Sequence, residues 1–166
     1  MKVLSLFDGI SYGRLALERA GIPVERYVAY EIEPNAIKVS KANWNDIEHC
    51  GDVTTADFSQ YKGFDVIIGN PPYVVYSERT SNYKVQNYES AECKDLYAFV
   101  IERCLNIKNL KSSLGMIVPI SIVSTDGFLS LRKLLYKKTE ELYFSNYAMR
   151  PSKLFEGAEK HLSIFI

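Results

Sequence analysis

Short apolar runs rich in β-branched residues alternate along the chain with segments whose apolar residues recur at helical spacing. The apolar runs predict seven strands, at residues 2–8, 24–32, 47–50, 64–69, 114–120, 141–147 and 162–166. Helical segments separate the first six strands, an order typical of a mostly parallel sheet with helices on both faces. The last two strands are joined by a segment without helical periodicity, which predicts an antiparallel hairpin at one edge of an α/β fold.

Polar residues at the ends of the helical segments indicate where helices begin. Asp95 precedes a segment with apolar residues on one side, and we expect it to cap a helix there. Thr125 and Asp126 are expected to cap a later helix that carries Leu131 and Leu134. Residues 74–94 form a polar stretch, and a loop of that length inside a compact domain is usually functional or disordered.

Composition is that of one ordinary globular domain. The 166 residues include 20 Lys plus Arg and 20 Asp plus Glu, so the formal net charge is zero. The chain contains no long apolar run, and Asp8 interrupts its start too early for a signal peptide, so we expect a cytoplasmic protein without a membrane span. The three cysteines form no CxxC pair, which disfavours a metal site or a disulfide framework.

The ends of three predicted strands carry residues that could bind an adenine nucleoside. Ligands of open α/β sheets bind beyond the carboxyl ends of the strands. Gly9 and Gly13 follow the first strand, where they allow the backbone to approach a ligand. Glu31 ends the second strand and could accept hydrogen bonds from both ribose hydroxyls. Asp52 ends the third strand and could accept one from an adenine amino group.

The loop after the first strand narrows the choice of cofactor. It lacks the Gly-x-Gly-x-x-Gly sequence that binds pyrophosphate, so an oxidoreductase with a dinucleotide cofactor ranks last. S-adenosyl-L-methionine fits better, because it has no phosphate and its amino-acid end could be held by the loop. Ile32 and Val53 are expected to flank the adenine ring. The expected contacts within the loop are Phe7, Asp8, Gly9, Ser11 and Gly13.

The most informative stretch is Asn70-Pro71-Pro72-Tyr73, directly after the fourth predicted strand. An exocyclic amine on a purine is a poor nucleophile, because its lone pair is delocalised into the ring. The Asn70 side-chain oxygen and the Pro71 carbonyl could accept hydrogen bonds from this amine and stabilise the charge that develops during attack. Pro71 and Pro72 hold the backbone extended, and Tyr73 offers a flat face for stacking a base outside the duplex.

The second half of the chain resembles the adenine-N6 DNA methyltransferases, especially the modification modules of restriction enzymes that combine cleavage and methylation. The resemblance rests on Asn70-Pro71-Pro72-Tyr73, on residues 95–99 (DLYAF) and on residues 115–119 (GMIVP). Residues 153–158 resemble that family's loop before the last strand, which implies that Phe155 packs on the other face of the flipped base. The resemblance implies the Rossmann-like core of the class I methyltransferases, with Asn70 contacting both the amine and the cofactor.

Residues 1–68 resemble a different branch, the cytosine 5-position DNA methyltransferases. The resemblance rests on residues 6–13 (LFDGISYG), 30–32 (YEI) and 51–53 (GDV). Those enzymes need a Pro-Cys nucleophile after the fourth strand, because ring carbon is activated by covalent addition. This chain has Pro71-Pro72-Tyr73 there, so we expect residues 1–68 to bind the cofactor and residues 69–166 to bind the target base of a single catalytic core.

The expected activity is transfer of a methyl group from S-adenosyl-L-methionine to the N6 amine of adenine in DNA. Without a target-recognition segment or a basic excess, we expect DNA specificity to come from a separate module. Arg79 and Lys84 are candidate phosphate contacts, whereas His49 and His161 are interpreted as structural. Two alternatives stay open: methylation of a protein glutamine amide, and a cofactor-binding remnant or subunit without independent activity.

Overall fold

The computed structural model describes residues 1–76, 87–107, 112–148, 154 and 160–166. The strands are β1 (Lys2–Leu6), β2 (Arg26–Tyr30), β3 (Ile47–His49), β4 (Val66–Gly69), β5 (Ser113–Pro119), β6 (Phe144–Tyr147) and β7 (Leu162–Phe165). They form a seven-stranded sheet in the order β3-β2-β1-β4-β5-β7-β6. β1 pairs in parallel with β2 and β4, and β2 with β3, whereas β7 is antiparallel to both β5 and β6. The predicted mostly parallel α/β sheet with an antiparallel edge hairpin is confirmed.

Helices connect these strands. The α-helices of the described chain are α1 (Tyr12–Arg19), α2 (Pro34–Asn43), α3 (Leu96–Leu105), α4 (Ser121–Ser124) and α5 (Leu129–Lys138). Short 3-10 turns occupy Val53–Thr55, Phe58–Tyr61, Ala91–Cys93 and Asp126–Phe128. No helix among the described residues is long and apolar enough to cross a membrane.

The chain divides into two compact units. The first contains the described parts of Met1–Asn70 and Ile107–Gly115, and the second those of Pro71–Asn106 and Met116–Ile166. The boundary between the units falls directly after Asn70, within the tetrapeptide that the sequence predicts to bind the target amine.

The core of the first unit lies around β1 and β2. Four of the five residues of each strand are buried, as expected for parallel strands covered on both faces. Val3, Tyr27 and Ala29 form a cluster against which Leu17 of α1 and Ile68 of β4 pack. Complete burial of an aliphatic side chain contributes roughly 1.5–3 kcal/mol, so this packing holds the carboxyl ends of β1 and β2 in a fixed position.

The core of the second unit is built on α3 and α5. Seven of the ten residues of α3 are buried, so this helix is covered almost all round. α5 buries Leu131, Leu134 and Leu135, the spacing of one helical face. The ring of Tyr97 in α3 stacks on that of Phe128, with 5.2 Å between centroids and 10° between planes.

Side chains cap two of the five described α-helices, Glu33 at α2 and Asp95 at α3. Asp95 caps α3 as predicted, because its side chain accepts a hydrogen bond from the Tyr97 N–H at 3.2 Å. The predicted cap at Thr125 and Asp126 is wrong. No side chain caps α5. The Thr125 hydroxyl instead donates to the Ser121 carbonyl at 3.1 Å, the bond that threonine often makes to the carbonyl four residues earlier.

Candidate active site

The loop after β1 leaves the strand through three residues with left-handed backbone. The φ angles are 57° at Phe7, 60° at Gly9 and 67° at Ser11. Glycine adopts this conformation freely, but Phe7 and Ser11 are strained by about 1–2 kcal/mol each. The sharp turn also explains why β1 ends at Leu6, two residues before its predicted end. Side-chain contacts must therefore hold this loop in place.

The Asp8 carboxylate lies at the centre of those contacts. Its Oδ1 accepts hydrogen bonds from Ser5 Oγ at 2.5 Å and from Tyr27 Oη at 2.8 Å. Its Oδ2 accepts one from Ser11 Oγ at 2.5 Å. Burial, followed by the neighbouring Asp8 charge, raises the pKa of Tyr27, so its hydroxyl stays a donor. Three of the roughly four acceptor positions of this carboxylate are thus taken by the protein itself.

A second set of contacts continues from Ser11 to β3. Ser11 Oγ lies 2.6 Å from Ser40 Oγ on α2, and Ser40 Oγ lies 3.3 Å from His49 Nε2 at the end of β3. Ser11 and Ser40 are both completely buried. Burial also lowers the pKa of His49, and its Nδ1 is buried without a hydrogen-bond partner. The chain of polar atoms therefore links the first loop to α2 and β3.

Glu31 lies at the carboxyl end of β2, where the sequence places a ribose-binding acid. Its Oε2 accepts a hydrogen bond from the Gly9 N–H at 2.7 Å. Its Oε1 accepts from the N–H groups of Ile32 at 2.8 Å and Glu33 at 2.9 Å. The loops after β1 and β2 are thus joined by one carboxylate, which brings Gly9 and Glu31 together.

The loop after β3 contains Asp52 and Val53. Asp52 Oδ1 accepts hydrogen bonds from the backbone N–H and the hydroxyl of Thr54, both at 2.8 Å, so Asp52 caps the following 3-10 turn. The two residues expected to flank the adenine ring differ in exposure: Ile32 is 69% exposed, whereas Val53 is 3% exposed and belongs to the core. In this structure Ile32 therefore offers a larger apolar surface to a ligand than Val53 does.

The glycines of these loops lie in two kinds of surroundings, open space and close packing. A Cβ atom added at Gly9 or Gly51 would meet no atom within 4 Å, so open space lies beside both loops. A Cβ at Gly13 would lie 2.4 Å from Ile68 Cδ1 and 2.8 Å from Tyr27 Oη. Gly13 therefore lets α1 approach the sheet, while the space beside Gly9 and Gly51 and the carboxylate of Glu31 fit the nucleoside of S-adenosyl-L-methionine.

The tetrapeptide after β4 begins at the last residue of the first unit. Asn70 and Pro72 are exposed, Pro71 is buried and Tyr73 is half-buried. Burial raises the pKa of Tyr73, and the ammonium of Lys160 lies 5.1 Å from the centre of its ring. A cation–π contact at that distance contributes about 0.5–1 kcal/mol at an exposed site. The segment thus presents an amide and an aromatic ring on a backbone stiffened by two prolines.

The chain after Tyr73 is fastened to the start of α3. Val75 and Asp95 form an antiparallel bridge, the Tyr76 N–H donates to the Lys94 carbonyl at 2.8 Å, and the Leu96 N–H donates to Val74 at 3.1 Å. Burial raises the pKa of the Asp95 carboxyl to about 6. The bridge fixes the path of residues 74–76 against the start of α3.

A buried acid of α3 holds residues 89 and 90, which precede this helix. Glu102 of α3 is 3% exposed, and its carboxylate accepts hydrogen bonds from the Glu89 N–H, the Ser90 N–H and the Ser90 hydroxyl, at 3.0, 2.8 and 2.6 Å. Sequence reasoning missed Glu102, although an acid within an otherwise apolar helix is a visible signal of a paired buried charge. It also missed Ser40 and Tyr27, whose polar contacts depend on strand and helix neighbours far apart in sequence.

Several predicted residues lie outside the described part of the chain. They are Phe155, expected to stack on the base, and the candidate phosphate contacts Arg79 and Lys84. Within the described ranges, no group of three or more His, Cys, Asp or Glu side chains could hold a metal ion.

Curated relatives of this chain include modification enzymes. It is 36% identical over 92 residues to a protein named Modification methylase CviBIII from Paramecium bursaria Chlorella virus NC1A, covering 53% of this chain and 23% of that protein. It is 31% identical over 97 residues to a putative type II restriction enzyme and methyltransferase of Methanocaldococcus jannaschii, covering 58% of this chain and 8% of that protein. The chain thus spans about a quarter or less of the curated relatives it matches.

Solved structures with a similar fold include methyltransferases. The S. pombe Dnmt2 methyltransferase superposes with a TM-score of 0.65 at 17% identity, covering 99% of this chain and 48% of that one. A putative class I S-adenosylmethionine-dependent methyltransferase from Listeria monocytogenes gives a TM-score of 0.65 at 13% identity, covering 99% and 52%. These likenesses show the class I methyltransferase fold alone.

The family comparison covers most of the chain. The description of the matching family is Eco57I restriction-modification methylase, and the match extends over residues 23–152, from the start of the second strand region to beyond β6. This range includes Glu31, Asp52 and the tetrapeptide that begins at Asn70. The chain belongs to the Eco57I restriction-modification methylase family.

Proposed function

We propose that this protein transfers a methyl group from S-adenosyl-L-methionine to the exocyclic N6 amine of adenine in DNA, in one direct step on a base outside the duplex. Membership in a restriction-modification methylase family and the relative named as a modification methylase support DNA methylation. The observation that carries the choice of an amine is the sequence Asn70-Pro71-Pro72-Tyr73 at the carboxyl end of the central strand β4.

The amine must become more nucleophilic, and two acceptors in this chain can do that. The Asn70 side-chain oxygen and the Pro71 carbonyl would accept hydrogen bonds from the two amine hydrogens. Such bonds favour a pyramidal nitrogen and stabilise the positive charge that grows on it during attack. Because the two prolines restrict the backbone, these acceptors are positioned before the substrate arrives.

Aromatic side chains would hold the extruded base. Tyr73 is half-buried, so one part of its ring stays accessible while the rest is anchored. Stacking a base on an aromatic ring is worth about 1–3 kcal/mol and offsets part of the unstacking cost. Phe155 would contact the opposite face, as the family resemblance implies.

The cofactor would lie at the carboxyl ends of β1 to β3. When bound, S-adenosyl-L-methionine supplies an electrophilic methyl group on a positively charged sulfur. Glu31 accepts hydrogen bonds from three backbone N–H groups and keeps one acceptor position for a ribose hydroxyl. Asp52 would accept a hydrogen bond from the adenine amine, and Ile32 would cover one face of its ring. Of the remaining predicted contacts, Phe7, Asp8, Gly9 and Asn70 would enclose the amino-acid end, whereas the buried Ser11 and Val53 and the closely packed Gly13 would support the loops from behind.

Cytosine 5-position chemistry is disfavoured by the state of Cys93, the first cysteine after the tetrapeptide. Carbon methylation needs a thiolate nucleophile, which forms where the thiol pKa is lowered. Burial instead raises the pKa of the Cys93 thiol, whose Sγ lies 3.4 Å from Ser130 Oγ on α5. Cys93 is therefore held as a neutral thiol.

DNA specificity is proposed to depend on a separate recognition module. Nonspecific DNA affinity comes mainly from Lys and Arg that neutralise phosphates, and this chain has as many acidic as basic residues. We expect binding of the isolated chain to DNA to be weak and to increase with a recognition partner.

The test incubates the protein with labelled S-adenosyl-L-methionine and mixed-sequence DNA, with and without bulk protein as acceptor. Mass spectrometry of the nucleosides should find N6-methyladenine and no 5-methylcytosine. Label on glutamine side chains alone would overturn the DNA assignment. Cofactor binding without transfer to any acceptor would favour a subunit that needs a partner.

A matched pair of asparagine variants tests the role of Asn70. We expect Asn70→Ala to abolish transfer while the affinity for S-adenosyl-L-methionine stays within a few-fold. Asn45→Ala, at an exposed position outside the proposed site, should leave both unchanged. An unaffected rate in Asn70→Ala would show that this amide does not contact the amine.

A further inference from the structure

The polar chain between the first loop and β3 runs in one direction only. Ser11 donates its single hydroxyl proton to Asp8 Oδ2, so its oxygen must accept a proton from Ser40 across the 2.6 Å contact. Ser40 has then used its own proton. Its oxygen can therefore only accept a hydrogen bond from His49 Nε2, 3.3 Å away, and that nitrogen must carry a hydrogen. The order of donors therefore runs from His49 through Ser40 and Ser11 to the Asp8 carboxylate.

This order assigns the tautomer of His49. With the proton on Nε2, the Nδ1 atom of the neutral ring is a bare lone pair, and this is the atom that is buried without a partner. The opposite tautomer would place an N–H in the same buried position and leave Ser40 and His49 both as acceptors. The neutral ring with a proton on Nε2 is the form that satisfies the chain.

The chain supports the most strained part of the proposed cofactor site. Ser11 has a φ of 67° and Phe7 one of 57°, and these residues flank the Gly9 turn. Asp8 joins that turn to β1 through Ser5, to β2 through Tyr27 and to the start of α1 through Ser11. Ser40 and His49 extend the same network to α2 and to β3, whose next loop carries Asp52. One network thus spans the loops that would hold both ends of the cofactor.

We propose that His49 and Ser40 are positioning residues for S-adenosyl-L-methionine, and that they hold the Gly9 loop through Ser11 and Asp8. This inference rests on the proposed function for the identity of the ligand. It also assigns Asp8 and Ser11 a role through the loop backbone, because their polar atoms are already used inside the protein. The loop is then arranged before the cofactor arrives, which reduces the ordering cost of binding.

Calorimetric titration of the full chain with S-adenosyl-L-methionine tests the proposal. Ser40→Ala interrupts the chain, and we expect it to weaken binding by about 5- to 30-fold, the equivalent of one to two hydrogen bonds. His49→Leu removes the terminal donor and should weaken binding to a similar degree. His49→Gln keeps an N–H donor near the position of Nε2 and should restore affinity to within about 3-fold of the wild type.

The wild-type chain provides a measurement that does not depend on how the variants fold. Nitrogen-15 NMR of the histidine ring should show His49 with a proton on Nε2 and a bare Nδ1, with and without the cofactor. The control variant Ser145→Ala lies on the exposed face of β6 and should bind as the wild type does.

The outcomes separate this inference from the proposed function. If Ser40→Ala and His49→Leu bind S-adenosyl-L-methionine with wild-type affinity, the positioning role is overturned and the proposed function still stands. A proton on Nδ1 instead of Nε2 would overturn the donor order. Failure of the wild type to bind S-adenosyl-L-methionine would overturn the proposed function and the inference together.

Discussion

Gly13 lies where α1 begins, and replacing it by alanine would disturb the cofactor loop from its packed side. The added Cβ would lie 2.4 Å from Ile68 Cδ1 and 2.8 Å from Tyr27 Oη. The Ile68 atom ends a flexible side chain and can move. The Tyr27 ring is 1% exposed and its hydroxyl is hydrogen-bonded to Asp8, so it can move only by giving up that bond.

The expected loss of stability follows from these contacts. Overpacking a core typically destabilises by about 1–3 kcal/mol, and the lost hydrogen bond adds roughly 1 kcal/mol. Alanine is a better helix former than glycine by up to about 1 kcal/mol, which offsets part of the loss. We expect a net destabilisation of about 1–3 kcal/mol, a fall in Tm of roughly 3–10 °C for a domain of this size.

Thermal unfolding followed by circular dichroism measures this change. Gly127→Ala is the matched control, because its Cβ would meet no atom within 4 Å, and its Tm should stay within about 2 °C of the wild type. Gly9→Ala separates strain from packing. Its Cβ is also unobstructed, so its loss should come only from the φ of 60°.

A double-mutant cycle identifies the cause. Ile68→Val removes the Cδ1 atom and Tyr27→Phe removes the hydroxyl, the two groups that the added Cβ would meet. In the protein that carries both substitutions, Gly13→Ala should destabilise by about 1 kcal/mol less than it does in the wild type. An equal loss in both backgrounds, or a Tm for Gly13→Ala equal to that of Gly127→Ala, would refute the packing argument.

Three further variants probe the second unit by equilibrium unfolding. Asp95→Asn should keep the helix cap and remove a charge that burial disfavours. The folded-state pKa of about 6 lies above the ordinary 3.8, so wild-type stability is lost as pH rises through this window. The variant should gain roughly 1–2 kcal/mol at pH 8 and almost nothing at pH 4, and an equal gain at both would contradict the burial argument. Glu102→Gln should lose about 2–3 kcal/mol, because it turns all three charge-assisted hydrogen bonds into weaker neutral or mismatched ones; a neutral effect would show that Ser90 is not held by this carboxylate. Leu134→Ala, completely buried on α5, should lose about 2–5 kcal/mol, whereas the half-exposed Leu129→Ala should lose under about 1 kcal/mol, and similar losses would contradict the packing of α5.

Much of the fold could be predicted because its signals are local. The strands β1 and β2 are largely apolar runs that must be covered, and α5 shows its buried face within a few residues through Leu131, Leu134 and Leu135. The ends of elements were less predictable, since they depend on backbone strain and competing hydrogen bonds. Phe7 ended β1 early, and Thr125 bonded backward instead of capping α5.

The candidate site was only partly predictable, for a related reason. Glu31 and Gly9 could be placed near each other because parallel strands end at the same edge of a sheet, and the Gly9 N–H does donate to Glu31. The internal use of Asp8 could not be foreseen. A carboxylate next to a glycine turn has the same sequence whether it faces a ligand or three hydroxyls of its own protein.

By itself, the sequence determined the α/β class of this protein, and it predicted an adenine-nucleoside site at three strand ends and amine chemistry at Asn70-Pro71-Pro72-Tyr73. These depend on periodicity, proline stiffness and functional groups that stand next to each other in the chain. Only the tertiary structure decided that Asp8, Ser11, Ser40 and His49 form one directed chain. The contacts of Ser40 with Ser11 and with His49 join residues 29 and 9 positions apart, so they depend on which elements pack together, and no local pattern encodes them.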